Sequence, residues 1–133
     1  MSKTQTAPSV LRVVADEKSW QLLKNIAQGT FDSKSLKSNS KLTRKQYYSR
    51  LSRMTTSKLV TKRNGRYRLT TFGKIVCEFQ LILENALENH WKLKTIDSLE
   101  LSKDLPEGDR QKLIDTLFEN QGLKHILIKG SYL

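Results

Sequence analysis

The sequence holds one cysteine, two prolines and no apolar run long enough to span a bilayer. Each scarcity removes a class of protein. Cys77 has no second cysteine to pair with, so no intrachain disulfide can form and a reducing compartment is expected. A membrane helix needs about 20 consecutive apolar residues; none exists, and the polar start MSKTQTAPS has no apolar segment of the kind a secretory signal requires. An intracellular chain with no membrane partner is expected. Cys77 has no His within ten residues, and His90 and His125 have no carboxylate at ligand spacing. No metal is therefore expected, and Cys77 reads more readily as packing on an amphipathic helix than as a redox switch. Gly-rich phosphate loops, Ser/His/Asp sets and Cys-x-x-Cys pairs are absent too, so neither catalysis nor a cofactor is expected. Apolar residues make up only 37% against 28% charged. One folding unit with appendages is expected, with part of its modest core covered by a partner.

The most informative absence is of negative charge. From Ser33 to Cys77 there is no Asp or Glu, yet thirteen Lys and Arg stand there, and the whole chain has a formal charge of +11. A solvated surface ordinarily mixes both signs. Exclusion of acids over such a length points to a polyanion, nucleic acid first.

Residues 1–12 are rich in Ser, Thr, Lys and Gln around Pro8, a composition that reads as a flexible arm. Asp16 precedes a helical pattern built on Trp20, Leu23 and Ala27, and Gly29 stands where a left-handed cap is wanted, so a helix is predicted over Asp16–Gln28. A short helix over Ser33–Ser38 would point Leu36 inward, with Asp32 as its cap. Thr43 and Gln46 then match the Thr-x-x-Gln capping box, which starts a helix running to Thr56 with Tyr47, Leu51 and Met54 as its buried stripe. From Lys58 the period changes to two. Leu59, Thr61 and Arg63 alternate with Val60 and Lys62, Asn64-Gly65 is a hairpin turn, and Arg66 to Leu69 return. Beyond Thr71 one long helix is predicted to about Leu93, its apolar residues Phe72, Val76, Phe79, Leu83, Ala86, His90 and Leu93 spaced alternately by four and three as in a coiled-coil seam. In the tail, Pro106-Glu107-Gly108-Asp109 opens a helix carrying Leu113, Ile114, Leu117 and Phe118 on one face and ended by Gly122; Leu123–Lys129 adds a last turn or two.

Helix, helix, helix, hairpin, helix is the order of a winged helix-turn-helix, and its charge map fits DNA. A helix enters the major groove with side chains that read base edges, while flanking cations neutralise phosphates. The reader is the helix over 43–56, with Thr43, Arg44, Lys45, Gln46, Tyr48 and Ser49 on its first two turns. Arg50 and Arg53 either touch phosphate or only solvate the helix flank. Over 59–69 the wing concentrates Lys62, Arg63, Asn64 and Arg66 at its tip, for phosphate or minor groove, although charge there also protects an exposed sheet edge.

The segment LTRKQYYSRLSRMTTSKLVTKRNGRYRLTTFGKIV, Leu42 to Val76, resembles the reader helix, wing and following helix of winged-helix transcription regulators of the ArsR/MarR type. It is most similar to short archaeal regulators that couple this motif to a long amphipathic helix. The likeness rests on the Tyr-x-x-x-Leu-x-x-Met spacing and on Ser57-Lys58-Leu59-Val60 leading into the wing, and it covers about residues 16–93. It implies a mainly α fold with a small β-hairpin wing, divided as arm 1–12, DNA-binding domain 13–72, long helix 73–97 and C-terminal helical extension 98–133. The paired Cys and His of metal-sensing members are missing. A regulator of this kind would bind double-stranded DNA in the cytoplasm, associated with the nucleoid; the seam spacing predicts a homodimer paired through Val76, Phe79, Leu83, Ala86, Leu87 and His90, the alternative being that the chain's own C-terminal helix covers Phe79, Leu83 and Leu87. The competing readings are a protein or RNA interaction module in a transcription or replication assembly and an architectural chromatin protein.

Overall fold

Local capping chemistry decides most of the helix boundaries. The computed structural model describes residues 5–29, 34, 37, 41–102 and 105–129. The helix expected over Ser33–Ser38 lies outside the described residues apart from Lys34 and Lys37. Among the described residues the fold is mainly helical with one small antiparallel hairpin. The helices are α1 (Ala7–Val14), α2 (Glu17–Ala27), α3 (Arg44–Thr56), α4 (Thr71–Glu88), α5 (His90–Ser102), α6 (Glu107–Leu117) and α7 (Gln121–Lys129); strands β1 (Val60–Arg63) and β2 (Arg66–Leu69) stand between α3 and α4. No helix among the described residues is long and apolar enough to cross a membrane.

The chain forms two compact units, Met1–Cys77 and Glu78–Leu133, so the division falls inside α4 rather than at 72–73. In the first unit, residues 7–12 are not the arm their composition suggested. Thr6 and Ser9 form a reciprocal capping box, Pro8 sits in the first turn, and Val10, Val13 and Val14 of α1 are buried in the core. Their burial, about 1.5–3 kcal/mol for each fully buried valine-sized side chain, outweighs the polar composition around them. Asp16 caps α2, whose Leu22, Leu23 and Ile26 are buried, and Gly29 takes a φ of 98°. The predicted box on α3 is present. Thr43 Oγ1 accepts the Gln46 amide at 3.2 Å, and Gln46 Oε1 accepts the Thr43 amide at 3.1 Å. Tyr47, Leu51 and Met54 turn inward.

The end of α3 is tied to the hairpin by backbone bonds. The Lys58 amide donates to the Thr55 carbonyl at 3.0 Å and the Leu59 amide to the Met54 carbonyl at 2.9 Å, with Lys58 at a φ of 66°. This closes the last turn of the helix and starts the strand direction within two residues. Thr70 then caps α4: its hydroxyl accepts the Gly73 amide at 2.9 Å and donates to the Lys58 carbonyl at 2.6 Å.

In the second unit the long helix expected over 73–97 is interrupted at Asn89. Asn89 Nδ2 donates to the Asn85 carbonyl at 2.8 Å, and the Asn89 carbonyl accepts both the Lys92 and Leu93 amides. Ile96, Ile114, Phe118 and Leu123 form the core of this unit, joined by Ile82, Ala86, Leu93, Leu117 and Leu127. Arg110 donates to Glu100 at 2.6 Å and to the Leu127 carbonyl at 2.8 Å, linking α5, α6 and α7. Gly122 does not end α6. That helix stops at Leu117, Asn120 caps α7 by accepting the Leu123 amide at 2.9 Å, and Gly122 lies against Ile82 where a Cβ would crowd its side chain.

Candidate nucleic-acid interface

On α3 the buried stripe of Tyr47, Leu51 and Met54 leaves the opposite face to polar residues at helical spacing. Arg44, Lys45, Tyr48, Ser49 and Ser52 are exposed there. The Arg44 guanidinium carbon lies 5.9 Å from the Tyr48 ring centroid, and the Tyr48 ring meets Tyr47 edge to face at 5.1 Å. A guanidinium at that distance from an aromatic ring is within cation–π range. Thr43 and Gln46 are exposed, but their side chains are engaged in the capping box. A bidentate adenine contact would need the Gln46 oxygen that the Thr43 amide uses. Their role is to hold the helix start.

Arg50 and Arg53 also take structural work. Arg50 is partly buried; its Nε donates to Asp16 Oδ2 at 3.2 Å, and the ion pair ties α3 to the cap of α2. Partial burial raises the Asp16 pKa, but hydrogen bonds from Ser19 and Arg50, with the arginine charge, outweigh it and hold the carboxyl below its ordinary value. Arg53 donates to the Arg12 carbonyl at 3.4 Å, at the end of α1 where the helix dipole favours a cation. The sequence left open whether these two arginines meet phosphate; the contacts direct both toward the fold.

The hairpin turns at Asn64-Gly65, where both residues have positive φ, 54° and 76°. These are the angles of the tight turn that matches strand twist. The register pairs Val60 with Leu69, Thr61 with Arg68, Lys62 with Tyr67 and Arg63 with Arg66. Val60 and Tyr67 are buried, which turns Lys62 toward the Tyr67 side, its Nζ 5.3 Å from that ring centroid. Thr61, Arg63, Arg66 and Arg68 occupy the other face and are exposed.

Residues 1–77 carry seventeen Lys and Arg against three Asp and Glu, a charge of +14, whereas residues 78–133 carry seven against ten, a charge of −3. The excess of positive charge therefore belongs to the first unit. No protein-family model, curated protein or solved structure matches this chain. Among the described residues no group of three or more His, Cys, Asp or Glu stands where it could hold a metal ion.

The residues expected to pair two copies separate. Val76 is buried in the first core beside Cys77, and Ala86 is half-buried against the second. Phe79, Leu83 and Leu87 are 63%, 52% and 70% exposed at spacing four, and the C-terminal helices do not cover them. His90 is exposed. The important residue that sequence reasoning passed over is Gly73. A Cβ there would overlap the Leu59 carbonyl oxygen, so glycine lets α4 start against the foot of β1. A glycine inside a helical pattern was the available signal.

Proposed function

We propose that the chain is a DNA-binding transcription regulator of the winged helix-turn-helix kind, in which α3 enters the major groove and the β1–β2 hairpin is the wing on the backbone. The observation that carries this reading is the exposed cationic face of α3 and the hairpin, set in a segment with thirteen Lys and Arg and no acid. Like charges so placed repel, and a polyanion removes the repulsion. Arg44, Lys45, Tyr48 and Ser49 are the contacts on α3; Arg63, Asn64 and Arg66 are those at the hairpin tip. A homodimer is part of the proposal, with Phe79, Leu83 and Leu87 supplying its apolar contact and two copies of α3 meeting successive major grooves. Such a protein acts in the cytoplasm, on the nucleoid.

Fluorescence anisotropy of a labelled random duplex, titrated with the full chain at several salt concentrations, tests this. Each phosphate neutralised contributes about −0.9 to the slope of log K on log salt. A steep slope is expected, reduced by about 1.8 per protomer when Arg63 and Arg66 are both changed to Ala. Absence of binding at low salt would reject the reading and favour an interaction module for protein or RNA. Binding with equal affinity for every duplex, including any selected sequence, would favour an architectural chromatin protein.

A further inference from the structure

We infer that the hairpin meets duplex DNA through the outer face formed by Arg63, Arg66 and Arg68, as a phosphate-binding platform, rather than through its tip alone. The inference rests on the DNA-binding reading, adds Arg68 to it, and leaves out Lys62, which the sequence alone had placed among the tip contacts. The register carries the argument. Side chains alternate along a strand, so the pairs Arg63 with Arg66 and Thr61 with Arg68 place all three arginines and one small threonine on a single face. The opposite face is turned inward by buried Val60 and Tyr67, and Lys62 lies on that side with its amine over the Tyr67 ring.

This face is costly for the free protein. Arg63 and Arg66 stand directly opposite each other, an arrangement that destabilises a strand pair when the charges are alike. Of the arginines in the acid-free segment, Arg50 is ion-paired, with Asp16. Protection of a sheet edge would be served by one charge on each strand, and lysine is the usual residue for it. Here the lysine is on the inner face and the outer cations are all arginine. A guanidinium presents a planar fork that grips a phosphate through two hydrogen bonds, which an ammonium cannot do. Arg66 and Arg68, two residues apart on one strand, are separated by about 6.8 Å, with Arg63 about 5 Å across from Arg66. Three forks so closely grouped suit neighbouring phosphates of a DNA strand. Thr61, small and flat, lets that strand approach.

The test is the salt dependence of duplex binding by the full chain and by Arg68→Ala, Arg68→Lys and Lys62→Ala, on one A·T-rich and one G·C-rich duplex. Both substituted side chains are exposed, and a thermal melt of each variant checks that it folds. Arg68→Ala should lower the steepness of the salt slope by about 0.9 per protomer, equally on both duplexes. Arg68→Lys should restore the slope but not the full affinity, and Lys62→Ala should leave the slope unchanged. An unchanged slope for Arg68→Ala, or a loss confined to the A·T-rich duplex as expected of a tip inserted in the minor groove, would overturn the platform while leaving DNA binding intact. Failure of the parent chain to bind either duplex would overturn the DNA-binding reading and the platform with it.

Discussion

Gly73 has no side chain because α4 begins against the Leu59 carbonyl, and the residue shows how one position can join a helix to a hairpin. Alanine favours a helix interior over glycine by about 1 kcal/mol. Here the overlap with a backbone oxygen outweighs that gain, so Gly73→Ala should destabilise the fold toward the upper end of the about 1–3 kcal/mol typical of overpacking, read by urea denaturation. Asp16 works by charge. Its depressed pKa means that its stabilising contribution is present above the unfolded value near 3.9 and is lost as pH falls through the folded one. Asn also caps helices well, so Asp16→Asn isolates the Arg50 pair. It should cost about 0.2–1 kcal/mol at neutral pH, and the difference should vanish as pH falls through the folded value, where the parent carboxyl is itself protonated. Arg44 and Tyr48 form the pair closest to the proposed base contacts. Tyr48→Ala should release Arg44 and weaken selection among duplexes, while Tyr48→Phe, which keeps the ring, should preserve it in a competition assay.

At the scale of elements, α3 is held in place from both ends. Its start depends on the box between Thr43 and Gln46, so Thr43→Ala should cost about 1 kcal/mol and fray the turn that carries Arg44 and Lys45. Its end depends on the left-handed Lys58, and the hairpin follows at once. These features were legible in the sequence because each is set within a few residues: the Thr-x-x-Gln box, the Asn-Gly turn, the alternation of the strands and the aspartate before α2 all act locally. What was not legible depends on contacts distant in the chain. Helix α1 is anchored by three valines in a polar stretch, although Thr6, Pro8 and Ser9 were the local signals of its start. The interruption at Asn89 ends a regular apolar spacing because Ile82, Ala86, Leu93 and Ile96 are all drawn into the second core. Arg50 and Arg53 could not be told from phosphate ligands without knowing that Asp16 and the end of α1 stand beside them.

Across the whole molecule, net charge divides between the two units. The first has the excess of cations; the second has a slight acidic excess and leaves Phe79, Leu83 and Leu87 uncovered on α4. A single exposed apolar side chain is ordinary; three at helical spacing support the proposed dimer contact. Leu83→Glu should convert a dimer to a monomer in sedimentation while leaving the thermal transition of the first unit in place, since that side chain belongs to neither core. Cys77, buried beside Val76, should not respond to mild oxidants in the folded state. The central claim is that the first unit, through α3 and the hairpin, is the surface that meets DNA. Amide and arginine side-chain resonances of the chain, followed by NMR as a short duplex is added, test it most directly. The account predicts shifts concentrated at Arg44, Lys45, Tyr48 and Ser49 and along Thr61 to Arg68, with residues of α6 and α7 unmoved. Shifts confined to the second unit, or none at low salt, would contradict it.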